Sequence, residues 1–276
     1  MSAPAGPVRD AAAPAALRLP SLAALPWRRA LILVLVAAAW QAAALGVDNP
    51  LMLPSFTETA RAFVDGLTGE GLLTAAAVSL ATLLKGYAIG IALGLALTVA
   101  ALSSPLAREA LATLTAMFNP LPAIALLPLA MLWFGLGETA LLFVLVHAVV
   151  WPFALAALSG FLAVPETLRM VGRNIGLRRL GYVAFLLVPA AFPALLSGMR
   201  IAWAFAWRTL IAAELVFGVS SGKGGLGWMI FQNRNELYID RVFAGLAMVV
   251  LIGLLAESVV FRTLEARTVR RWGMQR

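Results

Sequence analysis

The sequence has no cysteine and only one histidine. Without cysteine the chain forms no disulfide and no thiolate metal site, and one histidine does not make a histidine-rich metal centre. A Gly-x-x-x-x-Gly-Lys-Ser/Thr loop is missing as well, so nothing in the sequence would hold the phosphates of ATP. We therefore expect that the chain itself binds no metal and no cofactor.

Charged residues are also scarce, at 12% of the 276 residues, while 62% are hydrophobic and the mean hydropathy is +0.92. A soluble core of this size cannot bury so much apolar surface, so we predict an all-α polytopic membrane protein in contact with lipid. The net charge of +8 could indicate nucleic acid, but the basic residues cluster between apolar runs. A positive-inside bias explains them better, and we expect no nucleic-acid partner.

The apolar runs predict about six transmembrane helices within a membrane domain at residues 27–262. Five of them are expected at 30–47, 72–102, 139–164, 190–217 and 241–261, and another contains Pro120, Pro122 and Pro128. Residues 1–26 are rich in Ala and Pro and predict a flexible tail, and residues 263–276 predict a basic tail. The first apolar run could be a signal peptide, but it is long and lacks a clear cleavage site, which favours an uncleaved span.

The distribution of basic residues predicts the orientation. Both tails, the 103–115 turn and the 165–189 segment are the basic regions, so they are expected on the cytoplasmic side. The acidic 48–71 connection, with a short interfacial helix at 57–67, is expected on the outer side. Six spans with both termini cytoplasmic satisfy this distribution.

Glycine and proline residues indicate how the spans pack. Gly86, Gly90 and Gly94 recur every four residues, a spacing that lets a second helix approach closely. Prolines in the third span remove backbone hydrogen bonds, so that helix should be bent and enclosed by protein. A lone His147 in the fourth span is more often a hydrogen-bonded bundle residue than a catalyst.

The segment Gly222-Lys-Gly-Gly-Leu-Gly227 matches the letters of a dinucleotide-binding fingerprint. That fingerprint requires a preceding strand and a following helix within a soluble βαβ unit. Here it lies between two apolar spans, so we do not interpret it as a cofactor site.

The basic segment 165–189 carries a more specific pattern. Gly176 and Pro189 stand thirteen residues apart, and the apolar run Phe185-Leu-Leu-Val188 precedes the proline. The segment resembles the cytoplasmic coupling loop of binding-protein-dependent ABC importer permeases. That loop reads Glu-Ala-Ala, three residues, Gly, nine residues, Ile-x-Leu-Pro.

The alignment to that pattern departs from it at one end. The Glu position falls on Met170, and the two Ala positions fall on Val171 and Gly172. Glu166, one helical turn earlier, is the candidate replacement for the missing acidic residue. The resemblance predicts a helix, a turn permitted by Gly176 and a second helix, which an ATPase subunit can hold.

Further motifs extend the resemblance over roughly residues 50 to 272. They are Leu53-Pro-Ser55, Pro120-Leu-Pro122, Ala125-Leu-Leu-Pro128, Leu132-Trp-Phe-Gly135, Gly198-Met-Arg200, Ala213-Glu214, Gly225-Leu-Gly-Trp228 and Arg241-Val-Phe-Ala-Gly245. Together they are similar to the nitrate/sulfonate/taurine branch of these permeases. The resemblance implies a type I ABC permease fold in a bacterial inner membrane, working as a homodimer. It also implies two ATPase subunits that hold ATP and Mg, and an extracytoplasmic solute-binding protein.

The fifth span carries charges that hydropathy alone would not tolerate. Arg208 lies well inside it, and an Arg facing lipid at mid-bilayer costs about 2.5–3.5 kcal/mol, so it should face the bundle or a cavity. Arg200, Trp203, Trp207 and Glu214 follow helical spacing on nearly one face. Guanidinium groups match the oxygens of sulfonate, carboxylate or nitrate, which suggests that these five residues line an anion path. The alternative is that an arginine pairs with a glutamate and only ties helices together.

The sequence thus predicts the transmembrane permease subunit of an ATP-driven importer for a small anion, with no catalytic residue of its own. One alternative is a secondary transporter that works without an ATPase. Another is an integral-membrane enzyme that uses His147 and Glu214, although no further titratable residue accompanies them at catalytic spacing.

Overall fold

The computed structural model describes residues 26–69, 71–217 and 224–270. The predicted amino-terminal tail, apart from its last residue, and the end of the carboxyl-terminal tail lie outside these ranges. So does Gly222 of the fingerprint-like segment. Within the described residues all regular structure is helical, and the all-α class is confirmed.

Eleven helices are named here. They are α1 (Pro26–Val47), α2 (Phe56–Thr68), α3 (Leu72–Ala101), α4 (Pro105–Phe118), α5 (Leu127–Phe134), α6 (Glu138–Leu162), α7 (Glu166–Asn174), α8 (Arg179–Ala190), α9 (Phe192–Phe217), α10 (Leu226–Asn235) and α11 (Ile239–Val269). A short 3₁₀ turn, Ala123–Leu126, precedes α5.

The lengths and compositions of these helices fit the predicted number of spans. α1, α3, α6 and α11 are long and apolar enough to cross a membrane by themselves. Two bent pairs, α4 with α5 and α8 with α9, raise the number of candidate spans to as many as six. The prediction of about six transmembrane helices agrees with this range.

The third span is bent, as its prolines predict. α4 and the segment Ala123–Phe134 meet at 88°. Pro120 and Pro122 occupy the break, where proline cannot donate the hydrogen bonds that would continue α4. The bend opens the backbone around residues 119–122 toward α6 and α9.

The predicted glycine stripe of α3 packs against α6. A Cβ added to Gly86 would meet Leu145, and one added to Gly90 would lie 2.6 Å from Cβ and Cγ1 of Val149. Gly94 in turn approaches Phe153, at 2.9 Å from the position of an added Cβ. Successive contacts advance in the same direction along both helices, so α3 and α6 run parallel and in close contact.

α9 runs antiparallel to α6 and completes the central core. Gly160 lies against Ala191 and Ala194, and Gly198 lies against Ala156. Small residues on both helices again allow a close crossing, and the buried cluster extends across α3, α6 and α9. This three-helix core positions the side chains of α9 that the sequence analysis singled out.

Two peripheral elements differ in how well the sequence predicted them. α2 matches the helix expected at 57–67 and begins with a capping box, in which Ser55 accepts a hydrogen bond from the Glu58 backbone N–H. The Ser55 backbone N–H donates back to the Glu58 carboxylate at 2.8 Å, and this bond lowers the pKa of Glu58.

Residues 219–240, a glycine-rich polar connection between the fifth and sixth spans, contain α10. Leu226, Ile230 and Asn233 are buried at i, i+4 and i+7, which is the spacing of one helical face. The glycine-rich start conceals this helix in the sequence. α11 also extends eight residues beyond the predicted end at 261, because its last turns pack beside α9, where Val269 is buried with Leu196 and Glu265 pairs with Arg200.

Candidate functional site

The segment 165–189, called the coupling loop below, forms two short helices joined by a glycine turn. α7 ends in a Schellman motif: the Gly176 N–H donates to Arg173 O and the Leu177 N–H donates to Gly172 O, both at 3.0 Å. Gly176 has φ +82°, a left-handed conformation that suits glycine. The predicted helix, turn and second helix are therefore present, and Gly176 is required by the backbone of the turn.

Gly172 lies where α7 packs against α8. It is buried, and a Cβ at this position would overlap the Leu186 Cδ1 atom and lie 3.3 Å from the ring of Tyr182. Leu186 and Tyr182 thus fill the space that the alanine of the family pattern would occupy. Pro189 lies at the end of α8, just before the chain turns by 79° into α9, and the preceding Val183–Leu187 turn widens to π-helical geometry.

The charged residues of α7 mainly contact each other and the end of α6. Glu166 lies 3.5 Å from Arg173 and 3.9 Å from Arg169. Arg169 also donates to Phe161 O at 2.6 Å and Val164 O at 3.0 Å, so it satisfies carbonyls at the carboxyl end of α6. Met170, which holds the acidic position of the pattern, is half exposed.

Arg200, Trp203 and Trp207 share one face of α9, as their spacing predicts, but this face packs against other helices. Arg200 forms ion pairs with Glu257 at 3.2 Å and Glu265 at 3.1 Å, both on α11. For Arg200 these ion pairs agree with the alternative given above, in which an arginine pairs with a glutamate and joins two helices.

The two tryptophans of this face also contact neighbouring helices. The ring of Trp203 lies edge-on to Tyr87 at 5.5 Å, and Trp207 donates from Nε1 to Val249 O at 3.3 Å. Neither residue belongs to the lining of the cavity described below.

Glu214 is 1% exposed and joins α9 to α3 and α10. Ser79 Oγ lies 2.9 and 2.7 Å from the two carboxylate oxygens of Glu214. The Gly227 N–H donates to the same carboxylate at 2.9 Å. Ser79 Oγ accepts in turn from the Leu226 N–H at 2.8 Å. The glycines of the fingerprint-like segment have a packing role here, since a side chain on Gly225 or Gly227 would collide with Glu214.

We expect Glu214→Ala to destabilise the bundle strongly, because the Gly227 N–H and the Ser79 hydroxyl would be left buried without their acceptor. Each unsatisfied buried donor costs about 1–3 kcal/mol. The melting temperature of the purified protein should be highest for the wild type, lower for Glu214→Gln and lowest for Glu214→Ala. Glu236→Ala, at an exposed glutamate directly after α10, is the control. Equal melting temperatures of Glu214→Ala and this control would contradict the role assigned to Glu214.

Arg208 points away from the packing face of α9, into a cavity of about 400 Å³ between α4, α6 and α9. The bend after α4 forms one wall. Its lining includes Phe118, Pro120, His147, Trp151, Phe205 and Arg208. The guanidinium carbon of Arg208 lies 5.9 Å from the centre of the Phe205 ring. Among the five residues predicted to line a path, Arg208 alone borders this cavity.

His147 and Trp151 are the cavity residues that sequence reasoning missed. Phe118 stacks on Trp151 at 5.0 Å and lies edge-on to His147 at 6.1 Å. Their spacing of four residues on α6, next to Pro152 and opposite the proline break, was the available signal. A lone histidine in an apolar span was instead read as a bundle residue.

Residues 86–268 match the family of binding-protein-dependent transport system inner membrane components. The matched range contains the coupling loop, Arg208 and Glu214. This chain belongs to that family. It is thus a permease subunit of an ABC importer, and ATP hydrolysis belongs to a separate ATPase subunit.

Relatives of this permease cover most of its length. The taurine transport system permease protein TauC of Escherichia coli is 32% identical, over 85% of each chain. The putative aliphatic sulfonates transport permease protein SsuC of Bacillus subtilis is 29% identical over 89% of this chain and 88% of its own. The nitrate import permease protein NrtB of a Synechocystis strain is 28% identical, over 76% and 73%. The family and the branch suggested by the sequence motifs are confirmed.

A solved structure shows the same fold. A chain from the crystal structure of an amino acid ABC transporter with histidines superposes with a TM-score of 0.58, covering 76% of this permease and 98% of that chain, at 16% identity. The type I permease fold expected from the resemblance agrees with this match. The alternatives of a transporter without an ATPase and of a membrane enzyme are not supported.

Proposed function

We propose that this permease translocates a small anion, delivered by an extracytoplasmic solute-binding protein, across a bacterial inner membrane. The observation that supports an anion is Arg208, an exposed cation within a span and at the edge of a cavity. A guanidinium offers paired hydrogen bonds to sulfonate, carboxylate or nitrate oxygens. The named substrates of the relatives, taurine, aliphatic sulfonates and nitrate, are consistent with this chemistry.

The exposure of Arg208 also supports a homodimer. Nine residues separate it from the end of α9, about 14 Å at 1.5 Å per residue, so it lies at membrane depth. A lipid-facing Arg there is costly, whereas a water-filled path covered by a second copy would solvate it. The proposed path therefore runs along the Arg208 face, while Arg200, Trp203, Trp207 and Glu214 hold α9 in place beside it.

The coupling loop is the proposed contact with two ATPase subunits, one for each copy. Its turn presents exposed apolar residues, Ile175 and Leu180 among them, on a loop that is braced internally by Gly172 and Leu186. Because α8 leads directly into α9, closure of the ATPases would move the helix that carries Arg208 and alternate the access of the path. This arrangement requires a cytoplasmic loop and cytoplasmic termini, as the basic residues predict.

Reconstitution tests this function. We expect proteoliposomes that contain the permease, its ATPase and the solute-binding protein to accumulate a sulfonate, carboxylate or nitrate only with MgATP on the ATPase side. Omitting the ATPase, or replacing it with a variant that does not hydrolyse ATP, should remove uptake. Accumulation by the permease alone, driven by an ion gradient, would contradict the proposal.

A further inference from the structure

Two residues that line the cavity between α4, α6 and α9 carry polar atoms that the protein leaves without partners. Both ring nitrogens of His147 and the indole Nε1 of Trp151 are buried and have no hydrogen-bond partner among the described residues. Buried polar groups are nearly always paired, and those that are not call for a water or a ligand. Both side chains border the cavity that Arg208 also borders.

The charge in the cavity has one sign. Arg208 is the cation, and no aspartate or glutamate occurs among the described residues that line it. The neutral donors, the Trp151 N–H and an imidazole N–H of His147, suit oxygen acceptors. A guanidinium with two neutral donors matches the headgroup of a sulfonate or carboxylate.

The remaining walls are mostly apolar, with Asn119 and Thr209 as the polar exceptions. Phe118, Pro120 and Phe205 contribute rings, and the Phe118 ring stacks on Trp151. These surfaces gain contact from an apolar body and gain little from an ion that is fully hydrated. A volume of about 400 Å³ leaves room for such a body next to the headgroup.

We infer that this cavity is a binding site for an organic monoanion with an apolar body, such as an alkyl or aryl sulfonate or an aromatic carboxylate. Arg208, Trp151 and His147 hold the headgroup, and the aromatic walls hold the body. The inference rests on the proposed import function and specifies its substrate class. It disfavours nitrate, which has no body to cover the walls. It also disfavours a zwitterion such as taurine, whose ammonium would approach Arg208 with no carboxylate nearby to compensate.

Calorimetric titration of the assembled transporter in nanodiscs, without the solute-binding protein, tests this site. We expect benzenesulfonate to bind at least about tenfold more tightly than taurine, nitrate or the neutral benzenesulfonamide, since a charged hydrogen bond or a poorly matched group changes affinity on this scale. The inference would be overturned if the wild type bound taurine or nitrate with the same affinity as benzenesulfonate. It would also be overturned if benzenesulfonate did not bind. This comparison needs no variant.

Variants then test the residues. Arg208→Gln should weaken benzenesulfonate binding about tenfold or more, and Trp151→Phe, which keeps the ring and removes the N–H, should weaken it severalfold. Arg234→Gln and Trp228→Phe are matched controls outside the cavity and should leave binding unchanged. Unchanged binding in Arg208→Gln would overturn the headgroup assignment.

The outcome for the site is separable from the outcome for the import function. ATP-dependent uptake of any anion by the same preparation, combined with unselective or absent binding in the cavity, would refute the site and leave the import function standing. Failure of ATP-dependent uptake for every anion delivered by the binding protein would refute the function itself.

Discussion

Gly90→Leu is expected to abolish the production of folded permease. A Cβ at residue 90 would already lie 2.6 Å from two atoms of Val149 and 3.4 Å from Val146 O. Leucine adds three further carbons at a crossing where Val149 belongs to the central core. Overpacking a dense interior costs about 1–3 kcal/mol, and here the backbone carbonyl limits how far the neighbours can retreat, so we expect the upper end or more.

The measurement is the yield of monodisperse protein after extraction, together with its melting temperature. Gly46→Leu is the matched control, because Gly46 is also a helical glycine but has nothing within 4 Å of an added Cβ. Adding Val149→Ala to Gly90→Ala should recover part of the yield lost by Gly90→Ala alone. A Gly90→Leu protein that purifies and melts like the control would show that α3 and α6 do not approach as described.

The glycine spacing of α3 illustrates what the sequence can predict about this fold. Recurrence every four residues identified a face that accepts a second helix, and the structure confirms it. The identity of the partner was not predictable, because α6 offers Leu145, Val149 and Phe153, whose apolar character is the same as that of residues facing lipid. Where lipid and protein interior are equally apolar, hydropathy does not separate buried from exposed faces.

The fifth span shows the same limit for charged residues. Helical spacing correctly placed Arg200, Trp203 and Trp207 on one face of α9. Their partners Glu257, Glu265 and Val249 lie on α11, more than 40 residues away, and no local pattern predicts that contact. Spacing therefore indicated which residues share a face of the helix. Only the tertiary structure showed that this face packs against other helices, whereas Arg208 borders the cavity.

The backbone geometry of the coupling loop was predicted best from the sequence, because this geometry is local. A glycine directly after a short helix-forming segment, and a proline before an apolar span, determine a turn and a bend within 25 residues. The deviation at Gly172 is local too: the larger Leu186 and Tyr182 side chains occupy the space that an alanine would need. The cavity of His147 and Trp151 was missed because three separate helices build it.

Gly172→Leu is expected to weaken ATPase docking and so to remove ATP-driven transport, while leaving the transmembrane bundle folded. A side chain at residue 172 would overlap Leu186 and push α7 away from α8, and this displacement would alter the surface that we propose the ATPase grips. α8 continues into α9 through the 79° bend, so a displaced loop would also transmit ATPase closure poorly to Arg208. Coupling free energies between sites amount to about 1–3 kcal/mol, and their loss should lower ATP-dependent uptake about tenfold or more.

The decisive comparison is with Gly181→Leu, in the same loop, where an added Cβ has nothing within 4 Å. Both variants add the same apolar side chain to the coupling loop, so a general effect of hydrophobicity on ATPase docking would appear in both. Only Gly172→Leu should lose uptake and co-purification with the ATPase, and its melting temperature without the ATPase should stay within a few degrees of the wild type, because α7 contributes no residue to the central buried cluster. Normal uptake in Gly172→Leu would mean that the packing of α7 on α8 does not set the coupling surface, and equal losses in both variants would place the sensitivity in the exposed apolar surface instead.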